Sequence, residues 1–176
     1  MKRHVCCSEE SSPADGHVEL GITYYQEGEY DEAITEFEEA ISIDPNYATA
    51  YNGLGAIYHT QEKYGLAAES YQKAIAIDPE NADAYSGLGF AYHMQDKYDL
   101  AIESYQKAIT INPEDAEAHY YLACVYSLHD KKALSIESLR KAISLDKDSI
   151  GAAEMDSDFD NIRESPEFQA LIRPVG

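Results

Sequence analysis

Apolar and small side chains recur at helical spacing along most of the chain, in segments of about 13 residues. From Ala14 to residue 149 these segments come in pairs, and each pair occupies 34 residues. Within the first pair the break falls at Gly28, where glycine permits a tight turn. Successive pairs are separated by an Asp-Pro or Asn-Pro step, and proline cannot continue a helix. The pattern predicts an all-α chain of consecutive helical hairpins.

The hairpins are copies of one another. Residues 48–81 align with residues 82–115 without a gap and share 23 identical positions. The same register extends to residues 14–47 and 116–149, which gives four units. A fixed period of this length indicates stacked repeats, in which each unit buries its apolar face against its neighbours. Because about three units are enough for such a stack, we expect the four to fold without help.

The two ends depart from the period. Residues 1–13 are polar and end in Ser-Ser-Pro, which predicts a disordered leader. Residues 150–176 are predicted to form a helical cap and tail, since the end of a repeat stack needs a cover. We expect Pro166 to start a last short helix after Ser165. The alternative is that this terminal helix folds into the neighbouring groove and blocks it. The apolar residues expected to bury against the fourth unit are Phe159, Ile162, Phe168 and Leu171.

Eight spaced positions recur through the units, in the order aromatic or His, Leu-Gly, Tyr, Ala, aromatic or Leu, Ala and Pro. In the second unit they are Tyr51, Leu54, Gly55, Tyr58, Ala67, Tyr71, Ala74 and Pro79. The chain thereby resembles the tetratricopeptide repeat family over residues 14–149, with departures mainly in the outer units. The resemblance implies a right-handed superhelical solenoid in which first helices line a concave groove and second helices face outward.

Within that family, partner contacts come from set positions of the first helices. The resemblance therefore implies a groove surface with modest apolar pockets and neutral hydrogen-bonding groups, suited to a peptide segment. The candidate partner-binding residues are Ile22, Tyr25, Asn52, Ala56, His59, Ser86, Phe90, His93, Tyr120 and Cys124. Acidic side chains at Asp15, Glu19, Asp83 and Glu117 add negative charge to this surface.

One variant of the family holds the carboxylates of chaperone tails with Lys, Asn and Arg side chains at these positions. The corresponding residues here are Val18, Ile22, Gly53, Asp83 and Gly87. The clamp is absent, and the acidic side chain would repel an acidic tail.

The net charge is −20. Nucleic acid and anionic membranes both require a positive surface, so the charge argues against them and favours a basic partner segment. Residues 14–47 contain ten acidic residues and no Lys or Arg, whereas residues 116–149 contain five acidic and five basic residues. Two interpretations of this gradient stay open: a solvated outer face that aids solubility, or a second contact for a basic partner.

The sequence shows no arrangement of side chains that predicts catalysis or a cofactor. Its glycines lie inside predicted helices rather than in a phosphate-binding loop. Cys124 stands where other units have Ile22, Ala56 and Phe90, which indicates a small residue of the groove floor. His59 and His93 share one repeat position, but a metal site would need further ligands, so we expect a partner-contacting pair or solvated surface.

Cysteine usage and hydropathy bear on the compartment. Cys6, Cys7 and Cys124 form no disulfide framework, which favours a reducing compartment. We find no secretory signal pattern and no apolar stretch of 18 residues, so a cytoplasmic location is expected. Acylation of the adjacent Cys6 and Cys7 is the alternative.

These features together predict a non-enzymatic adaptor that binds a peptide segment of a partner protein in its concave groove. The alternative is a structural scaffold that self-associates through repeat faces. We expect a monomer or a weak homo-oligomer with no cofactor and no metal.

Overall fold

The computed structural model describes residues 12–173, and within that range every regular element is a helix. The helices of the repeats are α1 (Pro13–Glu27), α2 (Tyr30–Ile43), α3 (Ala48–Thr60), α4 (Tyr64–Ile77), α5 (Ala82–His93), α6 (Tyr98–Ile111), α7 (Ala116–Leu128) and α8 (Lys132–Leu145). They are followed by α9 (Ser149–Met155), a 3-10 turn (Ser157–Phe159) and α10 (Pro166–Ile172).

Helix α1 begins one residue before the predicted start of the repeats. Ser12 is its N-cap: its hydroxyl accepts a hydrogen bond from the backbone N–H of Ala14, and its own backbone N–H donates to Asp15. Pro13 fits the first turn because that turn does not use the missing N–H. Pro13 therefore belongs to α1 and Ser12 is its cap, and the rest of the predicted leader, residues 1–11, lies outside the described residues.

The turn inside each unit uses one left-handed residue. Gly28 has φ +81° in the first unit. The equivalent residues, each 34 positions further on, are Glu62, Asp96 and Asp130, with φ of 58°, 58° and 56°. The backbone N–H groups around this position donate to the last carbonyl oxygens of the preceding first helix, which closes the turn.

The turn between units is also repeated. Asp44, at the end of the first unit, accepts a hydrogen bond from the backbone N–H of Asn46, two residues on, at 2.9 Å. Such a turn ends one helix and redirects the chain into the next. The same bond recurs at the end of each later unit, where the accepting side chains are those of Asp78, Asn112 and Asp146.

Aromatic side chains of the second helices pack between glycines of two successive first helices. A Cβ atom at Gly21 would lie 2.8 Å from the Phe37 ring, and one at Gly53 would lie 2.4 Å from the same ring. Tyr71 sits in the same way between Gly55 and Gly87. The glycines are therefore required by the close approach of the ring, and this contact holds adjacent units together.

The first helices of successive units contact one another, α1 with α3, α3 with α5 and α5 with α7. They form the inner face of an all-α solenoid, as expected. Among residues 12–173, no helix is long and apolar enough to cross a membrane.

The chain from the start of α9 to the end of α10, residues 149–172, is called the C-terminal segment below. Phe159, Ile162 and Phe168 are buried in one cluster with Leu139 of α8, and Leu171 packs partly buried against it. Helix α10 starts at Pro166, as expected, and the Ser165 hydroxyl caps it by accepting from the backbone N–H of Phe168 at 3.3 Å.

Candidate functional site

The concave surface formed by α1, α3, α5 and α7 differs along its length. At the α1 end, Ile22 is 39% exposed and Tyr25 is half-buried. Asn52 and Ala56 on α3 are partly exposed, with the Asn52 side-chain oxygen buried and unpaired within the described chain. These four predicted residues therefore line an open part of the groove.

An aromatic cluster occupies the middle of the groove. The rings of His59 on α3 and Phe90 on α5 lie 4.3 Å apart, centroid to centroid. Tyr121 on α7 meets Phe90 edge-on at 5.2 Å, and Tyr64, at the start of α4, lies 6.2 Å from Phe90. Phe90 thus links three successive units at one point.

A cavity of about 230 Å³ opens beside this cluster, between α5 and α7. His59, Phe90 and Tyr121 form its aromatic wall. Its polar wall carries three carboxylates and a hydroxyl, from Asp83, Ser86, Asp115 and Glu117.

The polar wall is partly organised by the start of α7. Asp115 caps this helix, since its side chain accepts from the backbone N–H of Ala118 at 3.0 Å. Its second carboxylate oxygen accepts from the Ser86 hydroxyl at 3.3 Å. Asp83 and Glu117 lie in the first turns of α5 and α7, where the helix dipole stabilises a negative charge.

Burial shifts the titration of two aromatic members of the cavity. It lowers the pKa of His59 below its ordinary value, and the charge of Glu117 opposes this only partly. The imidazole is therefore neutral at pH 7. Burial, with Glu117 as the second cause, raises the pKa of Tyr121 to about 12, so its hydroxyl keeps its proton.

The C-terminal segment covers the α7 end of the groove. Tyr120 donates from its hydroxyl to Asp156 at 2.8 Å, and the Cys124 Sγ lies 3.6 Å from the same carboxylate. His93 is only 8% exposed, and its Nε2 lies 3.2 Å from Asp158. The 3-10 turn that follows Asp156 and contains Asp158 packs directly on α7.

This cover changes the expectation for three of the predicted residues. His93, Tyr120 and Cys124 contact the C-terminal segment instead of open groove. Ser127, which occupies the repeat position of the two histidines in the fourth unit, is fully buried. His59 and His93 therefore do not form a matching exposed pair. The physical reason is that the segment offers carboxylates and an aromatic ring, Phe159, which lies 5.7 Å from Tyr120.

Three of the covered atoms have the chemistry of metal ligands. The ligand atoms of Cys124, Asp156 and Asp158 lie within 4.8 Å of one another. Burial raises the pKa of the Cys124 thiol well above its ordinary value, with the nearby aspartates adding to the shift. The thiol is thus protonated. The carboxylate of Asp156 accepts a hydrogen bond from Tyr120 and that of Asp158 lies against His93, so these two side chains form an internal contact between the C-terminal segment and the groove.

The residues predicted from the sequence to bind a partner did not include Tyr64, Asp115 or Tyr121. A signal for Tyr121 was present, because it stands where the two preceding units have Gly53 and Gly87. A large aromatic residue at a position otherwise kept as glycine marks a place where the groove differs from the repeat. Instead of leaving room for the ring below it, Tyr121 stacks on Tyr105 at 6.1 Å.

Paired antiparallel helices stacked at a fixed period, with a partly open inner groove, define a helical-repeat protein of the protein-interaction class. Sequence profiles described as TPR repeat match residues 21–62 and 57–96, and profiles described as tetratricopeptide repeat match residues 82–115 and 104–137. The chain belongs to the tetratricopeptide repeat family. Members of this family generally act as protein-interaction modules rather than enzymes. No protein with a curated description matches the chain.

Several solved structures share the fold. A crystal structure of MamA is 29% identical, with a TM-score of 0.75, and the match covers 87% of this chain and 88% of MamA. PilF of Pseudomonas aeruginosa is 27% identical, with a TM-score of 0.75, over 90% of this chain and 74% of PilF. The first TPR domain of Spaghetti (RPAP3), bound to the HSP90 peptide SRMEEVD, is 25% identical, with a TM-score of 0.65, over 66% of this chain and 93% of that domain.

Proposed function

We propose that this chain is an adaptor that binds a peptide segment of a partner protein in the part of its concave groove that stays open, from Ile22 on α1 to Phe90 on α5. The observation that carries the proposal is the difference between the two ends of the groove. The α7 end already holds a segment of the chain itself, through Tyr120 and Cys124. Within residues 12–173, the α1 and α3 end offers the same kind of inner surface without such a cover.

The open part combines apolar floor with hydrogen-bonding groups. Ile22 and Ala56 supply the apolar floor, and Asn52 and His59 supply polar atoms beside it. Such a surface suits an extended or helical peptide, whose backbone needs hydrogen bonds and whose side chains need shallow pockets. The Spaghetti (RPAP3) domain binds a peptide, which supports peptide binding as a use of this fold.

The charge of the segment bound by this chain is expected to differ from the charge of the HSP90 peptide. The HSP90 peptide is acidic, whereas this groove carries Asp83 and Glu117 and the whole chain has a net charge of −20. Like charges across an interface disfavour binding. A neutral or basic segment is therefore the expected ligand.

Selection of random 12-residue peptides displayed on phage, followed by fluorescence anisotropy of the selected peptides, tests the proposal. We expect the combined change of Ile22→Ser and Ala56→Gln to weaken binding about tenfold, because it removes apolar contact and narrows the floor. Leu20→Ser is the matched control: Leu20 is 47% exposed on the same helix, about 200° around the axis from Ile22. Failure to select any peptide, or equal affinity of the groove variant and the wild type, would overturn the proposal.

A second candidate, self-association through the outer face, is favoured by one observation. Leu66, Leu100 and Leu134 are 45%, 43% and 43% exposed and recur every 34 residues on α4, α6 and α8. An aligned row of exposed leucines could pair with the same row of a second copy. Light scattering after size-exclusion chromatography at two protein concentrations tests self-association. A monomer at both concentrations excludes a self-associating scaffold, whereas a dimer that is lost in the Leu100→Ser variant supports it.

A further inference from the structure

The cavity between α5 and α7 is lined by several residues at which the units differ. Phe90 replaces Ala56 of the preceding unit, and Tyr121 replaces Gly87. Asp115 stands where the preceding unit has Asn81. The repeat therefore sets the shape of the groove, but these departures give this one cavity its aromatic wall and its carboxylates.

The cavity holds three carboxylates, those of Asp83, Asp115 and Glu117. Within the described part of the chain no Lys or Arg forms an ion pair with Asp83, Asp115 or Glu117. The carboxylates of Asp99 and Glu114, in contrast, do have a lysine within 4.0 Å. Helix-terminal position alone explains why single acids occur at Asp83 and Glu117, but it does not explain an aromatic cavity between them.

The size and lining of the cavity fit one side chain. At about 230 Å³ it is smaller than the range of roughly 300–1,000 Å³ that small-molecule sites occupy. Its aromatic wall is electron-rich and uncharged, because His59 and Tyr121 are both neutral at pH 7. A cation beside aromatic faces, with carboxylates within reach, is stabilised by both.

We infer that this cavity binds the side chain of an arginine in the partner segment. The planar guanidinium can lie against Phe90 or Tyr121 and direct its N–H groups to the carboxylates of Asp83, Asp115 and Glu117. Lysine would satisfy only the charge, since an ammonium group lacks the flat face and the forked donors. This inference rests on the proposed function for its biological setting, but the cavity can be tested by itself.

The experiment is a titration of the ¹⁵N-labelled full chain with the blocked tripeptide acetyl-Gly-Arg-Gly-amide, followed by amide chemical shifts. Parallel titrations use the same tripeptide with citrulline, the neutral isostere of arginine, and with lysine. We expect the largest shifts at Gly87, Phe90, Ala118 and Tyr121. The arginine tripeptide should bind about fivefold more tightly than the citrulline one and about twofold more tightly than the lysine one.

Two variants separate a specific site from general attraction to an acidic protein. The double variant Asp83→Asn with Glu117→Gln removes two charges from the cavity and should lower the affinity for the arginine tripeptide about fivefold. Glu38→Gln with Glu39→Gln removes two charges from exposed positions of α2 and should leave the affinity unchanged. Phe90→Leu keeps most of the apolar volume but removes the aromatic face. It should lower the affinity for the arginine tripeptide more than the affinity for the lysine tripeptide.

The inference is overturned if shifts spread over the acidic surface, if the α2 variant weakens binding as much as the cavity variant, or if citrulline or lysine binds as tightly as arginine. These outcomes leave the proposed function intact when phage-selected peptides still depend on Ile22 and Ala56. Conversely, localised arginine binding without any selected peptide would support the cavity and count against the adaptor.

Discussion

At the scale of single residues, the turn within each unit requires one residue with a left-handed backbone, and only in the first unit is that residue a glycine. Gly28 adopts φ +81° without strain, whereas Glu62 holds φ 58° with a full side chain. A non-glycine residue in this conformation costs about 1 kcal/mol. Asp96 and Asp130 are less strained, since aspartate visits this region more readily than glutamate.

Glu62→Gly is therefore expected to stabilise the protein by about 0.5–1 kcal/mol, because the native conformation loses its strain. The midpoint of urea unfolding measures the change. Asp96→Gly should gain less, since the Asp96 carboxylate also accepts from the Tyr98 hydroxyl at 2.8 Å. A destabilised Glu62→Gly variant would contradict the strain at this turn.

The helical glycines divide into two kinds. Gly87→Ala places a Cβ atom 2.3 Å from the Tyr71 ring, and we expect about 1–3 kcal/mol of destabilisation from overpacking. Gly65 has no neighbour within 4 Å of the added atom, so Gly65→Ala should stabilise the protein by about 1 kcal/mol through helix propensity. Chemical denaturation of both variants tests the contrast, and a shift of the same sign in both would refute it.

At the scale of elements, the C-terminal segment shows where sequence reasoning succeeds and where it stops. The helix-breaking Asp-Pro steps and the 34-residue period were enough to predict the eight repeat helices, because these signals are local. The covering of His93 and Cys124 was not predictable in the same way. It depends on a contact between Asp158 and a residue 65 positions earlier, and that pairing follows no period.

The segment should protect Cys124 from modification. Phe159 is fully buried and belongs to the same cluster as Cys124, so Phe159→Ala is expected to loosen the segment and raise the rate of maleimide labelling at Cys124 at least about tenfold. Mass spectrometry of a Cys6→Ser and Cys7→Ser background measures it. Met155→Ala, at an 87% exposed position of the same segment, is the control and should leave the rate unchanged.

At the scale of the whole molecule, charge is distributed unevenly along the solenoid. The first unit carries ten acidic residues without any Lys or Arg, and the fourth carries five of each sign. In a solenoid each unit interacts mainly with its neighbours, so self-repulsion acts locally instead of being averaged over one core. The first unit should therefore respond to ionic strength more than the fourth.

Raising NaCl from about 0.05 M to 0.5 M shortens the range of charge repulsion from roughly 14 Å to about 4 Å. We expect amide hydrogen exchange in α1 and α2 to slow several-fold and exchange in α7 and α8 to change little. Peptide-level mass spectrometry resolves the two regions. Equal slowing at both ends would mean that salt acts on the whole chain and not on the acidic unit.

The covered end of the groove also limits what a ligand can be. Adjacent helices lie about 10 Å apart, so α1 to α5 spans roughly 20 Å, the length of about six extended residues. In the proposed complex a bound segment would meet Phe159 and Tyr120 at the α7 end, whereas no part of residues 12–173 covers the α1 end. The two directions of the bound chain are therefore not equivalent. An arginine in the cavity beside Phe90 would then be the last residue of the segment to contact the groove. Only the residues on one side of that arginine would affect the binding affinity.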